Sequence, residues 1–239
     1  MKTVAFYTLG CKVNQYETNL MIKQFEDNKY TVIDFENKPD VFVINSCSVT
    51  NLSTRKTRQI LSRARKLNDK AVIILVGCYA EEINFENTNK LINNADIILG
   101  NEEKKNIVEY LNNYIQNKDV LNNKMFKVED ISKVKRYVQK DKLEKSITVR
   151  ESIKIEDGCN NFCSYCIIPY TRGRVRSRSL EDIVCEVKNV AKNGSCEIIL
   201  VGIEIASYGL DLKDDISLID VIEQLDKISE LKRIRLRFY

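Results

Sequence analysis

Residues 146–179 read SITVRESIKIEDGCNNFCSYCIIPYTRGRVRSRS, a strand-like run that feeds directly into three cysteines at the spacing C-x3-C-x2-C. A loop of chemically active side chains at the carboxyl end of a parallel strand is where a (β/α) barrel places its site, so the stretch reads as the first strand and first site loop of such a barrel. Cys159, Cys163 and Cys166 offer a metal three thiolates and no nearby fourth, and the chain has no histidine. A structural zinc site closes with four ligands. A four-iron cluster on three thiolates instead keeps one iron open for a substrate or cofactor. The competing readings are a zinc knuckle completed by Asp157, a redox cluster, and chance placement in a chain of eight cysteines.

From strand Ser146–Ile155 and the cysteine loop the pattern continues as helix Leu180–Lys192, strand Glu197–Val201, helix Ser217–Ile228 and strand Arg233–Arg237. Repeated βα units of this kind build barrels. Only three strands precede Tyr239, so the chain reads as cut short, with an unclosed sheet edge. In VGIEIASYG, which follows the second strand, Glu204 stands where a bound cofactor would be met, although an ordinary βα turn has the same look. Cys185 and Cys196 read as packing residues.

The first part of the chain alternates short valine- and isoleucine-rich runs (KTVAFYTL, DVFVIN, AVIILVG, ADIILG) with helix-length segments near 14–28, 52–67, 81–93 and 102–116. Buried parallel strands have this composition, so an open parallel α/β sheet is expected. Cys11, Cys47 and Cys78 each follow a strand directly, at the edge where open sheets bind ligands, which points to a second three-thiolate site. Taken singly each is an ordinary buried cysteine. Gly10 and Gly77 would let the backbone approach a bulky group. The lysine- and asparagine-rich stretch near 117–142 reads as a linker, giving domains 1–125 and 143–239.

The 239 residues are 44% hydrophobic and 30% charged with a net charge of +4, an ordinary globular balance. No apolar run reaches the roughly 20 residues of a membrane span, and the start lacks a signal-peptide pattern, so a cytoplasmic protein with no membrane association is expected. In that reducing setting the cysteines point to metal or catalysis rather than disulfides. Basic residues cluster twice. Arg172, Arg174, Arg176 and Arg178 alternate after the cysteine loop, and Arg55, Lys56, Arg58, Arg63, Arg65 and Lys66 crowd one helical segment. Either would steer a polyanion, and the second group is equally well read as a solvated helix face.

Taken in order, YTLGCKVNQYET (7–18), VINSCSVTNLSTRKTRQI (43–60), VGCYAE (76–81), DGCNNFCSYCIIPYTRGRVRSR (157–178) and EIILVGIEIASYG (197–209) resemble the radical S-adenosylmethionine (SAM) methylthiotransferases over essentially the whole chain. GCKVNQYE and SCSVTNLSTRK look most like the branch acting on N6-threonylcarbamoyladenosine at position 37 of tRNA. The resemblance implies an N-terminal open parallel α/β sheet followed by the first part of a radical SAM (β/α) barrel. It implies two 4Fe-4S clusters, one on Cys159, Cys163 and Cys166 that binds SAM, and an auxiliary one on Cys11, Cys47 and Cys78 that carries the transferred sulfur. One SAM would methylate that sulfur, and a second would be cleaved to a 5'-deoxyadenosyl radical that takes the hydrogen from C2 of the adenine. Tyr165 and Glu204 would contact the cofactor. Arg172, Arg174, Arg176 and Arg178 would hold RNA phosphates, and a flavodoxin- or ferredoxin-like protein would donate electrons. The family continues into further barrel strands and a C-terminal RNA-binding domain, which this chain is expected to lack. The alternatives are methylthio transfer to an aspartate of a ribosomal protein and a non-catalytic iron-sulfur fragment.

Overall fold

β-Branched residues suit a pleated strand covered on both faces, and the short apolar runs of the first hundred residues all form one. The order is β1 (Thr3–Thr8), α1 (Lys12–Asp27), β2 (Thr31–Val32), β3 (Val41–Ser46), α2 (Asn51–Leu67), β4 (Val72–Gly77), α3 (Cys78–Glu86), β5 (Ile97–Leu99), α4 (Ile107–Gln116) and β6 (Met125–Lys127). The computed structural model describes residues 2–86, 94–117, 124–143 and 149–237. The chain divides into two units, residues 1–131 and 132–239.

In the first unit six strands form one wholly parallel sheet in the order β2-β1-β3-β4-β5-β6. Alternation along β3 sends Val43 to one face and Phe42 and Ile44 to the other. Val43 packs with Phe25 of α1 and Leu111 of α4, while Phe42 and Ile44 pack with Leu61 of α2 and Ala80 of α3. Helices therefore cover both faces. The chain passes from β1 outward to β2 and returns to place β3 on β1's other side, which creates a switch point between β1 and β3.

The second unit contains β7 (Arg150–Lys154), β8 (Glu156–Asp157), α5 (Ile168–Thr171), β9 (Arg176–Ser177), α6 (Leu180–Lys192), β10 (Glu197–Val201), α7 (Leu218–Asp226) and β11 (Arg233–Arg237). Its parallel sheet runs β11-β10-β7, and β8 and β9 form a separate antiparallel pair. Local chemistry sets the helix starts. The Ser179 hydroxyl accepts the Asp182 N–H at 3.3 Å ahead of α6, and Ser217 and Asp220 make a capping box ahead of α7. All five residues of β10 are buried, whereas four of the five in β11 are exposed.

Several expectations are corrected. Met125–Lys127, inside the expected linker, is the sheet's edge strand β6. The third helix begins at Cys78, ahead of the expected 81, and the expected part from 87 to 93 lies outside the described residues. The segment 102–116 is a short 3-10 turn, Glu103–Asn106, followed by α4. The expected strand 146–155 is observed as Arg150–Lys154, with 144–148 outside the described residues. Among the described residues no helix is long and apolar enough to cross a membrane.

Candidate functional site

In the first unit the strand ends are level: Thr8 pairs with Asn45, and Asn45 with Val76. Cys11 lies three residues past Thr8, and Cys47 and Cys78 lie two past Asn45 and Val76. Neighbouring strands are about 4.8 Å apart, so register alone gathers the three cysteines at one end of three adjacent strands, with Cys11 and Cys47 flanking the switch point. Burial pushes the Cys47 thiol above its ordinary range, and the nearby Cys78 and Cys11 add to the rise. The same concentration of thiols would favour loss of protons to a bound cation.

The loops carrying these cysteines are tied together by amides and a hydroxyl. The Asn14 side-chain NH2 donates to the Leu9 carbonyl at 2.7 Å and the Ser46 carbonyl at 2.9 Å, joining the β1 and β3 loops. The Asn45 NH2 donates to the Asn14 carbonyl at 2.9 Å. Ser46 donates its hydroxyl to the Val76 carbonyl at 2.5 Å and accepts the Tyr79 N–H, which joins β3 to β4 and α3. Gly10 has φ +99°, and a Cβ there would lie 2.8 Å from the Cys47 Cβ and 3.1 Å from its Sγ. Only glycine fits. Gly77, at φ +94°, has a similar constraint from Asn45 and Ser46.

At the same carboxyl edge, past β5, is a buried ionic cluster that sequence reading did not single out. Lys104 donates to Glu17 of α1 and to the Asn101 side-chain oxygen, both at 2.6 Å, and the Asn101 N–H donates to Glu81 of α3 at 2.5 Å. The turn after β5 thus grips two helices, one starting next to Cys11 and the other at Cys78.

In the second unit the β8/β9 pair closes the base of the 158–175 loop, helped by the Cys159 N–H donating to the Gly173 carbonyl at 3.1 Å. Cys163 is exposed, and Cys159 and Cys166 are half-buried. The Asn161 N–H lies 3.5 Å from the Cys159 Sγ, and the Cys166 N–H donates to the Cys163 carbonyl. Burial raises the Cys159 thiol, and the charges of Glu204, Cys166 and Glu156 raise it further. Glu204 is therefore close to the cysteine loop. Tyr165 is 91% exposed.

The arginines depart from expectation. Arg172, Arg176 and Arg178 are at most 2% exposed. Arg172 and Arg176 lie 3.5 and 3.4 Å from Asp157, which also holds Lys154 at 2.6 Å, and Arg178 is paired with buried Glu186. Buried cations need such partners, and these three brace the loop from inside instead of facing phosphates. Only Arg174 is exposed, with its guanidinium 4.2 Å from the Phe162 ring. Asp157, engaged by three cations, is in no position to complete a zinc knuckle. Cys185 is also exposed on α6, so the packing reading is corrected.

A second missed residue is Glu156, which is fully buried. Its Oε2 accepts the N–H groups of Ile203 and Glu204, both at 2.8 Å, and its buried Oε1 accepts no hydrogen bond. Burial, with some help from Asp157, pushes its carboxyl up to about 8. Two adjacent acids, Glu156 and Asp157, at the end of an apolar run and directly ahead of the cysteine loop were the available signal in the sequence.

Among the described residues no three or more Cys, Asp or Glu side chains close to the spacing of a single bound ion. A four-iron cluster is wider than a lone ion and is anchored by thiolates, which each set supplies in threes. The donor sets fit such clusters.

Comparison with known proteins finds a separate family match in each half of the chain. Residues 3–100 match the model described as Uncharacterized protein family UPF0004, and residues 153–238 match Radical SAM superfamily. The chain is 38% identical to the threonylcarbamoyladenosine tRNA methylthiotransferase MtaB of Bacillus subtilis, over 99% of this chain and 51% of that protein. It is 31% identical to the ribosomal protein uS12 methylthiotransferase RimO of Desulforamulus reducens, over 100% of this chain and 53% of that protein. Among solved structures the radical S-adenosylmethionine methyltransferase TsrM of Kitasatospora setae superposes with a TM-score of 0.57 at 16% identity, covering 88% of this chain and 51% of that one, which is a likeness of fold alone. The chain belongs to the radical SAM methylthiotransferase family. It spans about half the length of the curated relatives it matches.

Proposed function

We propose that the chain takes part in methylthio transfer to C2 of N6-threonylcarbamoyladenosine at position 37 of tRNA. The observation that carries this reading is the level placement of Cys11, Cys47 and Cys78 on adjacent strand ends, in a chain that also presents the Cys159, Cys163, Cys166 loop. Each set would hold a 4Fe-4S cluster with one open iron. When bound, the clusters and SAM supply the one-electron chemistry and the sulfur. The chain's own groups bind and orient. Gly10 permits close approach at the first site, and Glu156 holds the turn that sets Glu204 beside the cysteine loop. Glu204 and Tyr165 are the proposed cofactor contacts, and Arg174 is the remaining proposed RNA contact of its group. Electrons would come from a flavodoxin- or ferredoxin-like donor.

The preference for tRNA over a ribosomal protein rests on the higher identity to the tRNA enzyme, 38% against 31%. The test is anaerobic incubation of the reconstituted chain with SAM, a low-potential reductant and either tRNA carrying the threonylcarbamoyl group or ribosomal protein uS12, followed by digestion and mass spectrometry. A methylthio gain on the modified adenosine is expected. A gain on the ribosomal-protein peptide alone would overturn the tRNA reading, and an absence of SAM cleavage would favour a non-catalytic iron-sulfur fragment.

A further inference from the structure

Helix α2 has an unusual charge pattern. It carries Arg55, Lys56, Arg58, Arg63, Arg65 and Lys66 and no acidic residue, so it holds six positive charges in a chain whose net charge is +4. Everything outside α2 therefore sums to −2. The helix buries Thr57, Ile60, Leu61 and Ala64 against the sheet. Its outer side, formed by Arg55, Arg58, Gln59, Ser62, Arg63 and Lys66, lines an open groove of about 550 Å³.

Two of the six cations have a structural use. Arg65 is 2.7 Å from Asp96 and also donates to the Ala71 carbonyl, and Arg63 is 2.6 Å from Glu36. Arg55, Lys56, Arg58 and Lys66 make no ion pair among the described residues. A helix face selected for solvation alone would intersperse acids at i+3 and i+4. Here Arg55–Arg58 and Arg63–Lys66 are like-charge pairs at i,i+3, a spacing at which equal charges destabilise a helix. No acid on the helix offsets them. Their positions, 55 to 66 at 1.5 Å per residue, lay a cationic stripe about 16 Å long. Guanidinium groups in such a row match the oxygens of successive phosphates, which a single small anion would not occupy.

We infer that the groove on α2 is a docking surface for the phosphate backbone of RNA, with Arg55, Arg58 and Lys66 as its principal contacts. This extends the tRNA reading above and rests on it for the identity of the RNA. It places a backbone-holding surface on the helix that starts four residues after Cys47. Contacts of this kind fix register on the nucleic acid and carry no sequence preference.

The experiment measures binding of fluorescently labelled tRNA to the whole chain by anisotropy between 0.05 and 0.3 M salt. Three proteins are compared: the unchanged chain, R55Q/R58Q/K66Q, and a control with the same charge loss on other helical surfaces, K188Q/K192Q/K227Q. Glutamine is a good helix former, and circular dichroism and iron content verify that the fold and clusters persist. Losing three phosphate contacts should weaken binding about a hundredfold at 0.1 M salt and make the log–log salt slope shallower by about 2. The control should stay within a few-fold of the unchanged chain. If the α2 variant matches the control, the inference falls while the tRNA reading survives. If the unchanged chain binds no tRNA even at 0.05 M salt, both fall. If α2-dependent binding is present but the methylthio group appears only on a ribosomal protein, the inference stands and the tRNA reading falls.

Discussion

Replacing Lys104 by methionine removes an ammonium that is 4% exposed and keeps most of its stem, leaving Glu17, 9% exposed, without its partner at 2.6 Å. Breaking one side of a buried ion pair costs about 3–5 kcal/mol, because the remaining charge stays desolvated. The first unit spans residues 1–131, and at about 2.1 cal/mol/K per residue its unfolding entropy is about 0.28 kcal/mol/K. The expected fall in Tm is therefore about 11–18 °C for the transition belonging to that unit. Calorimetry on the metal-free chain at pH 7 resolves the two units if they melt separately. The double variant K104M/E17L removes both charges and should recover most of the loss. Because the Asn101–Lys104 turn also grips α3 through Glu81, iron retained by the Cys11, Cys47, Cys78 set should fall in K104M after reconstitution. A fall in Tm below about 3 °C, or a double variant no better than the single, would refute the reasoning.

Other perturbations separate the two sites. Cys163→Ala should abolish SAM cleavage and leave about half the iron, whereas Cys47→Ala should keep some cleavage and stop methylthio transfer. Full transfer by the Cys47 variant would contradict the auxiliary site. Gly10→Ala should cost the iron of the first set alone, since the added Cβ meets Cys47 at 2.8 Å. Glu156→Gln keeps an oxygen for the Ile203 and Glu204 N–H groups and should retain SAM binding, while Glu156→Leu should lose it, as read by the SAM-induced change in the cluster's electron paramagnetic resonance spectrum. Glu156 also has a pH signature. With its carboxyl raised to about 8, the folded chain holds a proton that the unfolded chain releases near 4.5, so this group makes stability fall as pH rises between those values. Glu156→Gln should flatten that part of the pH–Tm profile of the metal-free chain, and an unchanged profile would contradict the burial argument.

The parts of the molecule that depend on local patterning were legible in the sequence. Leu180–Lys192, Glu197–Val201 and Arg233–Arg237 fall where periodicity and capping residues put them. Three cysteines directly after three apolar runs were enough to expect their gathering at one sheet edge, because parallel register makes those ends level. Strand β6 was missed because three residues, Met125–Lys127, inside a lysine- and asparagine-rich stretch are too few to show a period. The arginines after the cysteine loop were misplaced for another reason. Charge in a sequence says nothing about its partner, and Asp157 precedes Arg172 by fifteen residues while Glu186 sits on the next helix. Glu17, Lys104, Asn101 and Glu81 escaped notice on the same ground, since their connections span up to 87 positions. What long-range folding adds is the neutralisation and bracing of charged groups that look solvent-facing when read singly.

The most direct test of the central claim, two three-thiolate cluster sites on one chain, is iron and acid-labile sulfide content after anaerobic reconstitution, with the electron paramagnetic resonance spectrum recorded before and after SAM is added. The account predicts about eight iron atoms per chain and a spectrum that changes with SAM, as two four-iron clusters with an open iron require. Stoichiometric zinc with little iron would contradict it.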